Sequence, residues 1–290
     1  MIILGSFLLF LLYRVGDNQG RRDLVGSNHS VFTERAGANS RWTSDLREVM
    51  PHLKSFAKQV RTPNGSREQI CQVVKVGDGW GGHDLCKPVP RHCTFYSFGI
   101  SKDYSFDVQM AEDFSCHGFA ADPTVTHPSK LHKLVTFHQI GAKMLTVDRA
   151  PGRDPKGNQA SWFSTSMPRL MKWREDERVD VLKMDCEGCE YSLAKDVAFE
   201  DPLFFEKVGQ FAVEIHVTKV WLKSAEHLYS LGRLLQQLES AGLRLAHSEI
   251  TSCAPKDEAA GCMDELADIG LPCGRRNSCH NFLFARSSLD

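Results

Sequence analysis

A chain of 290 residues has room for one large α/β domain with additional segments, and is long enough to bury a sizeable core. Hydrophobic residues at 42% and charged residues at 24% are ordinary globular values. Lys+Arg 35 against Asp+Glu 36 leaves a formal net charge of −1, so no strong field recruits nucleic acid or acidic lipid.

Ile2 to Tyr13 is an apolar run broken only by Gly5 and Ser6. It is shorter than the roughly 20 residues of a full helical span. Its length suits the apolar core of a signal peptide, although no basic residue precedes it and no small-x-small cleavage site follows. Residues 1–15 are therefore expected to be a signal peptide or a short signal-anchor, and any membrane contact is expected through this segment only. Residues 16–42 are polar and rich in Gly, Asn, Ser and Arg, the composition of a stem or linker. Residues 43–290 form the expected folded domain. Arg14, Arg21 and Arg22 oppose a lumenal carboxyl side by the positive-inside rule. Two sequons, Asn28-His-Ser30 and Asn64-Gly-Ser66, argue for one. So do ten cysteines, at 71, 86, 93, 116, 186, 189, 253, 262, 273 and 279, an even number that implies disulfides of undetermined connectivity in an oxidising compartment. The balance points to the secretory pathway, in the Golgi or ER membrane or secreted.

Ser44 to Val60 reads as a helix with Ser44 as N-cap, an apolar face of Leu46, Val49, Met50, Leu53 and Phe56, and an awkward interior Pro51. The loop Gly77-Asp-Gly-Trp-Gly-Gly82 lacks the Gly-Lys-Ser/Thr of a phosphate loop. Bounded by Cys71, Cys86 and Cys93, it is expected to be a disulfide-tied lid. A regular alternation follows: strand Thr94–Ile100, helix Ser105–Phe114, strand Cys116–Ala121, strand Leu134–Ile140 ending at Gly141, a short helix Met167–Trp173, strand Val179–Met184 and strand Gln210–His216. Glu226 to Ala241 is the clearest helix, with Leu228, Leu231, Leu234, Leu235 and Leu238 at helical spacing and Gly242 as its stop. Leu243–Ala246 and Asn281–Ala285 supply the last strands. Strands alternating with helices make an open, mostly parallel sheet the economical topology.

In such a sheet the ligand crevice lies beyond the carboxyl ends of the strands, and polar groups gather there. Ser97-Phe-Gly99 leads into a helix, where backbone can approach a ligand closely. Asp122 follows the second strand, the position from which an acidic residue takes ribose hydroxyls in dinucleotide and related folds. Asp185 and Glu187 follow the fourth strand, with Glu190 three residues on. Glu214 and His216, at i and i+2 of the fifth strand, share one face. The competing reading of Asp185, Glu187 and Glu190 is an acidic turn opening the next helix at its positive dipole end. That of His216 is a core histidine capping its strand, and Glu190 better fits a salt bridge or helix start than catalysis.

The segments Cys93-Thr-Phe-Tyr-Ser-Phe-Gly-Ile100, Tyr104-Ser-Phe-Asp107, Phe119-Ala-Ala-Asp-Pro123, Leu182-Lys-Met-Asp-Cys-Glu-Gly-Cys-Glu190 and Val213-Glu-Ile-His216 resemble, in order, S-adenosylmethionine-dependent methyltransferases. The similarity is to the FkbM-related, eukaryotic methyltransferase-like group with a type 22 methyltransferase domain. It covers roughly residues 70–220, and the Leu-Lys-x-Asp-x-Glu-Gly-x-Glu string is its most specific part. The resemblance implies an α/β, class I methyltransferase (Rossmann-like) fold: a seven-stranded, mostly parallel sheet flanked by helices, its last strand antiparallel. It implies S-adenosyl-L-methionine as cofactor, bound by Ser97, Phe98, Gly99, Ile100, Asp122, Gly141 and Asp185, with Asp122 on the ribose and Asp185 at the transfer site. Where FkbM-type enzymes carry Asp-x-Gly-Ala-Asn-x-Gly, this chain reads Ser97-Phe-Gly-Ile-Ser-Lys-Asp103.

The chemistry implied is displacement of a methyl group from sulfonium by a nucleophile, accelerated by positioning. A hydroxyl acceptor also needs a base, worth about 10²–10⁴-fold. Asp185 is the first candidate and His216 the second, with Glu187 and Glu214 holding acceptor hydroxyls. The four also suit a hard divalent cation, compatible with the pattern but not expected from it. The acceptor class, a small or glycan-like molecule, rests on the family alone. Three rivals remain. Cys186-x-x-Cys189 at a strand-to-helix junction has the form of a redox dithiol, for which a local disulfide or two free thiols suffices. A nicotinamide dehydrogenase lacks its Gly-x-Gly-x-x-Gly. A catalytically inactive lumenal module that retains the fold fits the altered first loop. Cys253, Cys262, Cys273 and Cys279 form a tied appendage, with His280 raising a minor metal alternative.

Overall fold

The computed structural model describes residues 42–64, 69–142, 150–153, 159–218, 221–222, 224–251, 262–273 and 279–286. The expected signal segment, the first sequon and all of the expected stem but Trp42 lie outside them, as do Cys253 and the Gly65-Ser66 half of the second sequon. Asn64 itself is exposed, its Nδ2 donating to the Ser248 carbonyl at 3.0 Å. Trp42–Asp290 forms one compact unit. Among the described residues no helix is long and apolar enough to cross a membrane.

Helix α1 (Leu46–Arg61) buries Val49, Leu53, Phe56 and Val60, one face at helical spacing. Its N-cap is Asp45, not Ser44: the Asp45 side chain accepts from the Arg47 amide at 3.0 Å, while Ser44 lies one residue earlier in a left-handed conformation (φ 58). Pro51 is on the exposed side and the helix continues through it. Strands β1 (Gln72–Val76) and β2 (His83–Lys87) form an antiparallel hairpin tied by the Cys71–Cys86 disulfide. The glycine-rich stretch is the tip of that hairpin. The amides of Gly77, Asp78 and Gly81 donate to Gln109 Oε1, Ser105 Oγ and Asp103 Oδ2, so side chains of this chain occupy the donors a phosphate would need.

Strand β3 (Thr94–Phe98) leads to helix α2 (Ser105–Phe114), then β4 (His117–Ala121), and Cys93–Cys116 joins the starting ends of the two strands. Strands β5 (Lys130–His132) and β6 (Val135–His138) are an antiparallel pair. The short pieces β7 (Gly141–Ala142), β8 (Ala150–Arg153), β9 (Gln159–Trp162) and β10 (Ser164–Thr165) precede α3 (Met167–Arg174), β11 (Val179–Met184) and α4 (Glu190–Glu200). The chain closes with β12 (Val208–His216), α5 (Ala225–Ser240), β13 (Arg244–Thr251), α6 (Asp264–Asp268) and β14 (Cys279–Ala285). Each major element lies within a few residues of its expected span. The five α5 leucines expected to face inward are all buried.

The main sheet has strand order β13-β14-β12-β11-β3-β4-β6-β5. β12, β11, β3, β4 and β6 are parallel, and β14 runs antiparallel to both its neighbours. Seven of these strands have the class I arrangement with an antiparallel strand inserted near one edge. The eighth, β5, corrects the seven-strand expectation. It arises because Lys133-Leu134 makes a turn, so that Lys130–His132 folds back on β6 at the sheet edge. One sheet face packs against α1, α3, α4 and α5 through residues such as Phe98, Leu182, Met184, Val213 and Leu231. The other, with Phe95, Val181 and Ala212, lies under α2 and the β1–β2 hairpin. Gln210 pins that hairpin to β12 by bonding the Cys86 amide (2.7 Å) and carbonyl (3.2 Å).

Candidate active site

Five parallel strands end on one side of the sheet, and a cavity of about 640 Å³ opens there. The ends of β3 and β11 meet almost backbone to backbone. The Asp185 amide donates to the Phe98 carbonyl at 3.0 Å, and the Gly99 amide donates to Ala121 at 2.9 Å. A Cβ added at Gly99, whose φ is +74, would lie 1.6 Å from the Asp185 carbonyl oxygen. Only glycine fits this crossing.

Of the expected cofactor residues, Phe98, Gly99, Asp122, Gly141 and Asp185 line the cavity. Ser97 is not among the lining residues: it is wholly buried, sharing with Phe95 the face under α2 and the hairpin. Ile100 packs into the same apolar cluster. Alternation along β3 explains Ser97, since Phe98 takes the opposite side of the strand. Asp122 is held tightly at the end of β4. Its Oδ2 accepts from the Ser101 amide (2.8 Å), and its Oδ1 from the Thr124 amide (2.7 Å) and hydroxyl (2.6 Å).

Of the expected catalytic residues, Asp185 and Glu187 line the cavity, whereas Glu214 and His216 stand behind them. Burial opposes a charge on Asp185, but the Lys183 ammonium, the Glu214 hydrogen bond and the His83 and His216 rings outweigh it and hold its carboxyl below the ordinary range. Burial and the Asp185 charge push Glu214 up, so Glu214 carries the proton of this pair. Burial works against charge on His216 as well, yet the Glu190 hydrogen bond and the nearby carboxylates raise it to about 9. It is an imidazolium at neutral pH, suited to donating rather than to taking the proton expected of it. Burial raises Glu187, helped by the charges of Asp185, Asp122 and Glu190.

Glu190 organises this corner. It opens α4, accepts from the Gly188 amide (2.8 Å) and the His216 amide (3.1 Å), and faces His216 Nδ1 at 3.2 Å. The helix-start reading of Glu190 therefore describes it well. Cys186 and Cys189 form a disulfide within the same loop. Among the described residues two side-chain groups have atoms close enough to share a metal ion, Cys186/Cys189/Glu190 and Glu214/His216/Cys279. All three cysteines are disulfide-bonded, so neither group offers the thiolate a metal binds. The same bond at Cys279 removes the thiolate from the Cys279–His280 alternative, and Cys262 pairs with Cys273.

Several lining or supporting residues were not anticipated. His83 arrives from the hairpin with its Nε2 3.9 Å from Asp185 Oδ2, and burial keeps it neutral at about 3. Nothing in the sequence links it to the fourth strand. Trp221 stacks obliquely on His216, ring centres 4.7 Å apart, and lines the cavity beside Tyr191, His227 and the Lys195–Glu226 pair (3.2 Å). Lys183 is a buried lysine within β11, whose other polar residue, Asp180, is half-buried and paired with Arg178.

Residues 35–231 of this chain match the family described as a methyltransferase domain. The chain belongs to that family. The methyltransferase-domain chain is 31% identical over 167 residues to human probable methyltransferase-like protein 24, and 30% identical over the same length to the rat protein of that name. Each alignment covers 54% of this chain and 43% of the relative, so the chain spans less than half the length of the curated relatives it matches. Among solved structures, it is similar to the Methanococcus jannaschii fibrillarin pre-rRNA processing protein, with 10% identity, TM-score 0.36 and coverage of 76% of this chain and 85% of that one. For a cyclopropane-fatty-acyl-phospholipid synthase-like protein from Lactobacillus casei the values are 10%, 0.36, 82% and 91%. Likenesses at this level carry no argument, and the fold class rests on the strand order itself.

Proposed function

We propose that this chain is an S-adenosylmethionine-dependent methyltransferase acting on a hydroxyl of a small or glycan-like acceptor. The observation that carries the reading is the cavity at the strand ends, walled by the Gly99 crossing, Asp122 and the Asp185–Glu187 loop. The donor set suits the cofactor. Asp122, Asp185, Glu187 and Glu226 face the cavity against a single lysine, Lys195, already paired with Glu226, which favours a cationic ligand. S-adenosylmethionine supplies a methyl group on a positively charged sulfur, open to displacement by a nucleophile.

The roles follow from geometry and charge. Asp122 has about four acceptor directions, and Ser101 and Thr124 take three of them; the fixed carboxylate is suited to a ribose hydroxyl. Phe98, Gly99 and Gly141 bring backbone close to the ligand. Asp185, kept anionic, stabilises positive charge nearby. Glu187 is the better base for the acceptor proton, because it lies in the cavity wall and its carboxyl is raised, closer to the working pH. Glu214 and His216 hold the Asp185 side from behind. Trp221, Tyr191 and His227, beside the Lys195–Glu226 pair, form an aromatic and polar wall that suits a hydroxyl-rich acceptor. The disulfides among the described residues suit an oxidising compartment and support placement in the secretory pathway.

The test is calorimetric titration of the full chain with S-adenosylhomocysteine, followed by transfer from methyl-labelled S-adenosylmethionine to a panel of hydroxyl acceptors. Binding in the wild type and its loss in Asp122→Ala are expected, with Glu187→Gln slowing transfer by about 10²–10⁴-fold at little cost in affinity. A folded chain that does not bind refutes the reading. Binding without transfer to any acceptor favours the alternative, a lumenal module that keeps the fold without the reaction.

A further inference from the structure

The Lys183 side chain is 1% exposed. It lies in β11, opposite Ser97 of β3 and Ala212 of β12, two residues before Asp185. Its Nζ donates to the Gly99 carbonyl at 2.9 Å. A buried ammonium is costly unless it is paired and hydrogen-bonded, and this one favours the charged forms of Asp103 and Asp185, which are held below the ordinary range, and partly offsets the burial that raises Asp107 to about 6. Gly99 and Asp185 are the two residues whose backbones nearly touch at the floor of the cavity. Lys183 thus bonds one side of that crossing, and its charge favours the ionised carboxylate on the other.

We propose that Lys183 is a positioning residue: its ammonium clamps the Gly99 and Asp185 loops together from beneath the cavity, holding the cofactor end in its binding geometry. This rests on the methyltransferase reading of the cavity. Lys183 does not line the cavity, so it acts through Gly99 and Asp185. The other groups facing Asp185 are His83 of β2, Glu214 and His216 of β12, and Glu187 of its own loop. Of these, His83 is neutral and Glu214 carries a proton, leaving Lys183 and His216 as the positive charges against which Asp185 stays ionised. Lys183 precedes His216 among those influences.

The experiment compares the full-length wild type with Lys183→Met, which keeps the stem and removes the charge, and with Lys183→Arg, which keeps the charge. Each is titrated with S-adenosylhomocysteine between pH 4 and pH 8 and checked for folding by circular dichroism. Lys183→Met is expected to weaken binding on the order of 10- to 100-fold at pH 7, and to move the acid loss of binding upward by about one pH unit. Lys183→Arg is expected to restore the acid limb even where packing lowers affinity. A folded Lys183→Met with wild-type affinity and a wild-type acid limb overturns the proposal, since lost packing alone does not move a pH profile. If Lys183→Met does not fold, the wild type decides. Its Asp185 carboxyl, followed by carbon-13 NMR and assigned with Asp185→Asn, should titrate below the ordinary carboxylate range; titration at or above that range overturns the clamp. That measurement needs no ligand, so failure of the wild type to bind S-adenosylhomocysteine removes the methyltransferase reading and leaves the Lys183–Asp185 coupling to be judged separately.

Discussion

Replacing Gly99 by alanine separates two costs that usually arrive together. Gly99 and Gly242 have nearly the same positive φ, +74 and +76. In that left-handed region an alanine costs about 1–2 kcal/mol at either site. Their surroundings differ. A Cβ at Gly99 would lie 1.6 Å from the Asp185 carbonyl oxygen, whereas at Gly242 its nearest neighbour is Arg286 Nη1 at 3.4 Å. The first is backbone held in a central strand pair; the second is a guanidinium at ordinary contact distance. Moving the β11 end aside adds about 1–3 kcal/mol, as other overpacked interiors do. Gly99→Ala is therefore expected to lose about 2–5 kcal/mol and Gly242→Ala about 1–2 kcal/mol. Urea unfolding with the disulfides intact reads both, provided the slope with denaturant is unchanged. S-adenosylhomocysteine affinity should fall only in Gly99→Ala, because only there does the loop bearing Asp185 shift. Equal losses of stability in the two variants, or full affinity in a folded Gly99→Ala, would refute the argument that the backbone crossing shapes the site.

Two further outcomes follow from charge and covalent structure. His216 is raised from 6.5 to about 9 in the fold. Its stabilising effect is therefore fully present below about pH 6 and is lost as the pH climbs through about 9, a change of up to about 3 kcal/mol. Glu214, also raised, contributes with the same sign. Urea midpoints between pH 6 and pH 10 should fall in the wild type and flatten in His216→Gln; an unchanged slope in that variant contradicts the assignment. Cys93 and Cys116 close a loop with a sequence separation of 23, against 3 for Cys186 and Cys189. Replacing the first pair by alanine should cost about 3 kcal/mol by chain entropy. Replacing the second by serine should cost less stability while weakening S-adenosylhomocysteine binding, because it frees the loop that follows Asp185 in the cavity wall. Thermal midpoints and calorimetry distinguish the two, and the reverse ranking of stabilities counts against the loop argument.

The local elements were legible in the sequence because each rests on near-neighbour physics. Ser105–Phe114 and Val179–Met184 agree with the structure at both ends, and the α5 leucines are spaced for one buried face. The cavity residues at strand ends could be anticipated for a related reason: once a parallel sheet is inferred, the residue after each apolar run must stand at its carboxyl edge. Ser44 failed as an N-cap by one position, since two adjacent capping residues compete and only the turn geometry chooses Asp45.

What the sequence determined by itself is the alternation of strands and helices, the apolar faces, and the placing of Asp122, Asp185 and Glu187 just beyond strand ends. These follow from periodicity and chain order alone. Tertiary structure decided everything that depends on which strands become neighbours. It brought His83 from a distant hairpin to Asp185, set Lys183 beneath Gly99, and folded β5 back on the sheet edge. It also decided which carboxyl carries a proton. Asp185 and Glu214 have similar intrinsic acidity, and only their burial and the charges around them, assembled from separate strands, make one a carboxylate and the other an acid.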